Sequence, residues 1–152
     1  MRKITGAKIP LAVGPAITLL ASAARTATGD GAAVSDRLLE NAASLLVVLD
    51  VTAQAGTSPT LDVEVQTRFD GTNFGELVQF ARNTGVVQLV ILNVKRGLSF
   101  TSELVIAADP AVAGTATVVN NIDWTGVLRV TWAITGSAGQ SFTFSVVAYP
   151  IY

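Results

Sequence analysis

Two acidic residues two positions apart, Asp62 and Glu64 in LDVEVQT, are the first place to look for chemistry. Alternate residues of a strand share a face, so this spacing would bring two carboxylates together for general acid–base work or for a cation. Leu61, Val63 and Val65 take the opposite face. That makes Asp62 and Glu64 the solvated side of a half-buried antiparallel strand, and this plainer reading carries the greater weight. Asp70 and Asn73 offer calcium-type oxygen ligands, yet no further acid follows at EF-hand spacing, and a hairpin turn explains both. Asp30, Asp36 and Glu40 lie in loop-like or helical sequence with no ligand pattern, so no metal is expected.

Among the aromatic residues, Trp124, Tyr149 and Tyr152 could together form a platform on which a sugar ring stacks. Trp124 follows the Asn120-Asn121-Ile122-Asp123 loop, which places it at the surface as a stacking residue or an interface anchor. Trp132, Phe142 and Phe144 fall in register with core residues, and core is their assignment. The 152-residue chain has no Cys and no His. That removes Ser-His and Cys-His nucleophile pairs and every thiolate or imidazole metal site. There is no phosphate-binding loop, no nucleophile elbow and no dinucleotide fingerprint. The chain is expected not to be an enzyme and to need no cofactor.

Charge narrows the partners. Lys and Arg number 10 and Asp and Glu 11, so 14% of residues are charged, against about 25% in an ordinary soluble domain. An under-charged surface near neutrality favours association and lacks the basic excess that nucleic acid demands. The length suits one domain with a self-sufficient core.

The elements that position these residues are mostly short strands. Leu45, Val47, Leu49 and Val51 point one way, with Asp50 and Thr52 on the other side, and Leu61, Val63, Val65 and Phe69 alternate with Asp62, Glu64, Gln66 and Arg68. Asp70-Gly71 is the strongest hairpin signal. Val86 to Val94 is nearly continuously apolar and reads as a strand covered on both faces. Leu98 to Ala107 and Thr115 to Val119 are further strands around the Asp109-Pro110 turn. Leu128, Val130, Trp132 and Ile134 alternate again, and Gly136-Ser137-Ala138-Gly139 reads as the last hairpin, into Phe142, Phe144, Val146 and Ala148. Only Ser35 to Ala43 resembles a helix, with Ser35 as its cap. About eight or nine strands without βα alternation predict an all-β fold, an antiparallel β-sandwich of jelly-roll-like connectivity with extended terminal arms.

The amino terminus imitates a secretory signal, with Arg2 and Lys3 ahead of an apolar stretch and Ala21-Ser22-Ala23 as a cleavage-like site. Pro10, Gly14 and Pro15 interrupt that stretch, and Ile9 to Ala24 falls short of the ~20 residues a membrane span needs. Residues 1–16 therefore read as an extended arm, about 50 Å long at full extension, whose Ile4, Ile9, Leu11, Val13 and Ile17 need burial against their own domain or a neighbour. The end, Ala148-Tyr149-Pro150-Ile151-Tyr152, is apolar where free termini are usually polar, and reads as a docking tail.

Three stretches, Ala24 to Gly29, VVLDVTAQAGTSPTLDVEVQTRFDG (Val47 to Gly71) and LRVTWAITGSAGQSFTFSVVAY (Leu128 to Tyr149), together about half the chain, resemble the capsid decoration (cement, auxiliary head) proteins of tailed bacteriophages. The resemblance is one of pattern, and the 95–124 stretch has no counterpart in it. It implies a β-rich virion protein that trimerises at three-fold and quasi-three-fold positions of the shell and clamps capsomers against internal DNA pressure, often through terminal arms. The expectation is thus an arm (1–16), a sandwich (17–148) and a tail (149–152). The expected partners are the chain itself, as a homotrimer, and the major capsid protein, with no nucleic acid and no membrane. The interface residues would be Ile4, Ile9, Pro10, Leu11, Val13, Pro15, Trp124, Tyr149, Pro150, Ile151 and Tyr152. The expected location is the capsid exterior, after synthesis in the host cytoplasm without secretion. A tail or baseplate module and a carbohydrate-binding sandwich are the alternatives.

Overall fold

In stretches such as LDVEVQT apolar residues take every second position, and in SLLVVLDV burial alternates the same way, so that each set lines the inside of two packed antiparallel sheets. The structure, a computed structural model, describes residues 12–96, 104–107, 118–119 and 123–152. In chain order the elements are β1 (Ile17–Arg25), β2 (Gly29–Asp30), β3 (Val34–Ser35), α1 (Arg37–Asn41), β4 (Ser44–Ala55), β5 (Thr60–Arg68), β6 (Phe74–Gln79), β7 (Gln88–Lys95), β8 (Leu104–Ala107), β9 (Val118–Val119), β10 (Val127–Thr135) and β11 (Ser141–Ile151). One sheet has the order β1-β11-β4-β7-β8 and the other β2-β10-β5-β6-β9, with β3 also on β10. The fold is an all-β antiparallel sandwich.

Leu45, Val47, Leu49 and Val51 of β4, Val90, Leu92 and Val94 of β7, and Phe142, Phe144, Val146 and Ala148 of β11 are buried. They form one cluster with Leu61, Val63 and Val65 of β5, Leu77 and Val78 of β6, and Leu128 and Val130 of β10. Each fully buried side chain of this kind stabilises the fold by about 1.5–3 kcal/mol relative to exposure. Trp132 is only partly buried against that cluster.

Several expectations need correction. Phe69 does not continue the β5 alternation. The strand ends at Arg68, Phe69 is 59% exposed, and the fully buried position belongs to Thr67. A buried hydroxyl is acceptable there because it accepts a hydrogen bond from the Thr125 backbone N–H at 2.9 Å. The segment Val86 to Val94 is covered on one face, not both. β7 starts at Gln88, and only its alternate residues Gln88, Val90, Leu92 and Val94 are buried. The helix is shorter than Ser35 to Ala43 and is capped by Asp36, whose Oδ1 accepts from the Leu38 N–H at 2.8 Å, while Ser35 belongs to β3. The expected strands 98–107 and 115–119 are described only as β8 and β9, and the rest of both lies outside the described residues.

Gly136 to Gly139 is not a hairpin. β10 and β11 belong to different sheets, so this turn carries the chain from one layer to the other, as Gly56 to Pro59 does between β4 and β5. The two crossings pack together. The Ser137 Oγ donates to the Thr57 carbonyl at 3.0 Å. A Cβ on Gly56, whose φ is +104°, would stand 2.7 Å from the Gln140 Cα, so only glycine closes this corner. Asp70-Gly71 does join the paired strands β5 and β6. The Asp70 carboxylate accepts from the backbone N–H groups of Thr72 and Asn73 and from the Asn73 side chain. Those bonds, the Asn73 N–H foremost, hold its pKa below the usual carboxylate range.

β1 forms one edge of its sheet and departs from regular pairing with β11 twice, between Thr18 and Leu20 and between Leu20 and Ala23. Irregular pairing leaves carbonyls without ladder partners. Arg25 supplies them, donating to the carbonyls of Ala21 (2.7 Å), Ala23 (2.9 Å) and Phe144 (2.8 Å). The same guanidinium lies 4.9 Å from the Trp132 ring centroid and 4.6 Å from that of Phe144, one ring from each sheet.

Candidate interaction surfaces

Of the interface residues expected from the sequence, Ile4, Ile9, Pro10 and Leu11 lie outside the described residues. Val13 bridges Ile151 and remains 55% exposed, and Pro15 is exposed. On either side of Val13, the Gly14 N–H donates to the Pro150 carbonyl at 2.7 Å and the Tyr152 N–H to the Ala12 carbonyl at 3.1 Å. Residues 149–151, expected to form a tail, continue β11 and pair with Leu46, Leu45 and Ser44 of β4. Pro150 and Ile151 are accordingly buried within the protein's own sheet, whereas Tyr149 is half-buried and Tyr152 is exposed.

Trp124 is the clearest correction. It is only 2% exposed, with its Nε1–H donating to the Leu39 carbonyl at 2.8 Å and the Arg96 guanidinium 4.1 Å from its ring centroid. Arg96 also donates to the carbonyls of Ala42 (2.9 Å), Trp124 (2.8 Å) and Glu40. A helix end leaves carbonyls without intrahelical partners, and these two side chains satisfy the carbonyls of the α1 end. Trp124 is thus a strut under α1, with no ring face left for a sugar or a partner. The Tyr152 hydroxyl donates to the Leu38 carbonyl at 3.2 Å and is engaged in the same region. The aromatic platform does not assemble.

The outward face of the six-stranded sheet is polar. Asp62, Glu64 and Gln66 of β5 lie opposite Ala133, Thr131 and Arg129 of β10, and Asp30 of β2 lies opposite Thr131. Asp62 and Glu64 do share this face, and with Thr28, Asp30, Thr131, Trp132 and Ala133 they line a cleft of about 250 Å³. Their environments differ. Both oxygens of Asp62 are taken by the Arg82 Nε and Nη2 at 2.9 Å each. Partial burial, then the charge of Glu76 nearby, pushes the Glu64 carboxyl above the usual range. On this face Phe74 lies 5.0 Å from the Arg68 guanidinium and 4.1 Å from that of Arg129. The Arg129 Nε donates to the Gln66 Oε1 at 2.8 Å. Among the described residues no group of three or more acids is placed to hold a metal ion. With Asp62 committed to Arg82, the pair does not supply a free acid and base.

The outward face of the five-stranded sheet is different. Val147 lies opposite Val48, and Val48 opposite Ile91, giving an aliphatic row across β11, β4 and β7. Tyr149 lies opposite Leu46 on one side of that row, and Leu89 lies opposite Asp50 on the other. Leu46, Val48, Leu89, Ile91, Val147 and Tyr149 are all half-buried. Among the described outward residues of β4, β7 and β11 the charges are Asp50 and Lys95, and neither makes an ion pair. A contiguous, weakly charged apolar sheet face is the kind of surface that marks a contact site. Its signal in the sequence is the nearly continuous apolar run Val86 to Val94, which reads equally as burial on both sides.

No helix among the described residues is long and apolar enough to cross a membrane. In comparisons with known proteins, the chain matches no family model, no curated sequence and no solved structure.

Proposed function

We propose that the protein is a structural component of a phage virion, a decoration protein that binds the outside of the capsid as a homotrimer at three-fold and quasi-three-fold positions and stabilises the shell against internal DNA pressure. The single observation that carries the reading is the aliphatic outward face of the five-stranded sheet. A sandwich that holds Leu46, Val48, Ile91 and Val147 side by side, half-buried, on the outside of one sheet, in a chain with 14% charged residues, is suited to being covered repeatedly by other subunits. The segments that resemble decoration proteins coincide with the end of β1, the β4–β5 crossing and the β10–β11 crossing. The strand order supports the jelly-roll reading: β1-β11-β4-β7 stacked on β2-β10-β5-β6, the chain crossing between sheets at β1–β2, β4–β5, β6–β7 and β10–β11, with β8 and β9 inserted before β10.

In this role the chain does no chemistry. Residues 12–14 join the sheet beside the carboxyl-terminal end of β11 through Val13 and Ile151. Many modest contacts repeated around a closed lattice act together by avidity. The test is co-sedimentation of the full chain with mature capsids stripped of their decoration, comparing the intact protein with one lacking residues 2–12. The reading expects saturable binding of the intact chain and reduced occupancy of the truncated one. Absence of binding by the intact chain removes it. Burial of Trp124 takes away the aromatic anchor on which the carbohydrate-binding alternative depended.

A further inference from the structure

We propose that the outward face of the five-stranded sheet packs against the same face of a second copy across a two-fold axis, with Asp50 and Lys95 setting the orientation. This rests on reading that face as a covered surface and names what covers it.

The register fixes the geometry. Lys95 pairs with Ser44 and Asp50 pairs with Leu89, so the two charges stand three residues to either side of the Val47 level, where Val47 pairs with Leu92. Two sheets meeting face to face have two isologous arrangements. With the axis parallel to the strands, equal levels meet, so Asp50 confronts Asp50 and Lys95 confronts Lys95. With the axis across the strands at the Val47 level, the Asp50 level of each copy meets the Lys95 level of the other, and near the centre the row Val147, Val48 and Ile91 of each copy meets the row Tyr149, Leu46 and Asn93 of the other. The charges select the second arrangement, and in an isologous contact every such pairing occurs twice. Lys95 is exposed and makes no ion pair with any of the described residues, and a lysine stem reaches from its own strand to the neighbouring one.

The size of the face predicts a weak contact. Three strands about 4.8 Å apart and eight residues at about 3.3 Å each span roughly 400 Å², below the ~800 Å² per partner of a standard stable interface. Such a contact is transient between free molecules. It becomes effective when copies are already held side by side, because linkage raises their effective concentration. Neighbouring decoration trimers on a shell are in that position, and the contact would join trimer to trimer.

The experiment is sedimentation velocity of the full chain over a concentration series, for the unaltered protein, Asp50→Lys, Lys95→Asp and the double reversal, with folding of each checked by thermal melting. The expected result is concentration-dependent association that each single reversal weakens by about fivefold or more, since each exposed charge pair is worth up to ~1 kcal/mol and occurs twice, and that the double reversal restores. Lys95→Asp sits at an exposed position, so it remains informative if Asp50→Lys folds poorly. Association indifferent to both reversals, or no association at any concentration, overturns the proposal. Neither result touches the capsid reading, which the co-sedimentation assay decides separately.

Discussion

Across β4, β7 and β11 the residues pointing away from the core are mostly apolar, Leu46, Val48, Leu89, Ile91, Val147 and Tyr149 with Asp50, Asn93, Lys95 and Ser145 around them, whereas across β5 and β10 they are Asp62, Glu64, Gln66, Arg129 and Thr131. Both sheets bury an equivalent inner layer, so the core did not require the difference. A strand needs apolar residues on one side only, and its other side is free to be chosen. An aliphatic choice works against solubility and gains nothing for the isolated fold, so it points to a surface that is covered in use. The polar face, by contrast, is occupied with itself: Arg82 takes Asp62, Arg129 takes Gln66, and Phe74 lies against two guanidinium groups.

The comparison can be broken at several points. The largest effect is expected where the two sheets meet. Arg25→Ala leaves the Ala21, Ala23 and Phe144 carbonyls without their donor and removes a cation from two rings. It should cost about 2 kcal/mol of stability, read from chemical denaturation, while leaving the chemical character of both outward faces unchanged. Next comes Val48→Lys, which puts a charge in the middle of the aliphatic row. The expectation is a folded protein whose self-association weakens about tenfold, or ~1.4 kcal/mol. Thr131→Lys, the matched change on the polar face, should alter association little.

The smaller predictions sharpen the polar side. The Glu64 pKa is raised in the folded protein, so folding favours its protonated form. That contribution is fully present below the ordinary glutamate range and is lost as pH rises through the folded value. Glu64→Gln should therefore stabilise at neutral pH by a few tenths of a kcal/mol, a small figure because the site is well solvated, and the gain should vanish below about pH 4. Arg82→Ala should cause at most a barely measurable loss of stability, since its partnership with Asp62 is largely exposed. A loss well above that would show that the polar face is held together more tightly than described here.

Much of the sandwich was legible in the sequence because alternation is a local signal. The inward residues of β4, β5 and β11 and the turn at Asp70-Gly71 follow from period two and turn chemistry alone. What sequence could not supply was which strand lies beside which. Gly136 to Gly139 has hairpin composition, yet it carries the chain between layers, and only the pairing partners of β10 and β11 distinguish the two. Phe69 was misplaced because the β5 pattern continues past the residue at which the ladder stops. Trp124 was misplaced for a related reason: a polar loop predicts exposure, but the indole N–H and the Arg96 stack are satisfied by the carbonyls of α1, which are 85 residues away for the hydrogen bond to Leu39. The aliphatic face was hidden in plain view, since Leu89 and Ile91 look the same in sequence whether covered by their own chain or by another.

The most direct test of the central claim, that the five-stranded sheet presents the covered surface, is carbene footprinting of the full chain, first dilute and then bound to capsids. The account predicts that labelling of Leu46, Val48, Ile91 and Val147 falls on assembly while that of Thr131 and Gln66 stays constant. Protection of the Asp62 and Glu64 face, with the aliphatic row still labelled, would contradict it.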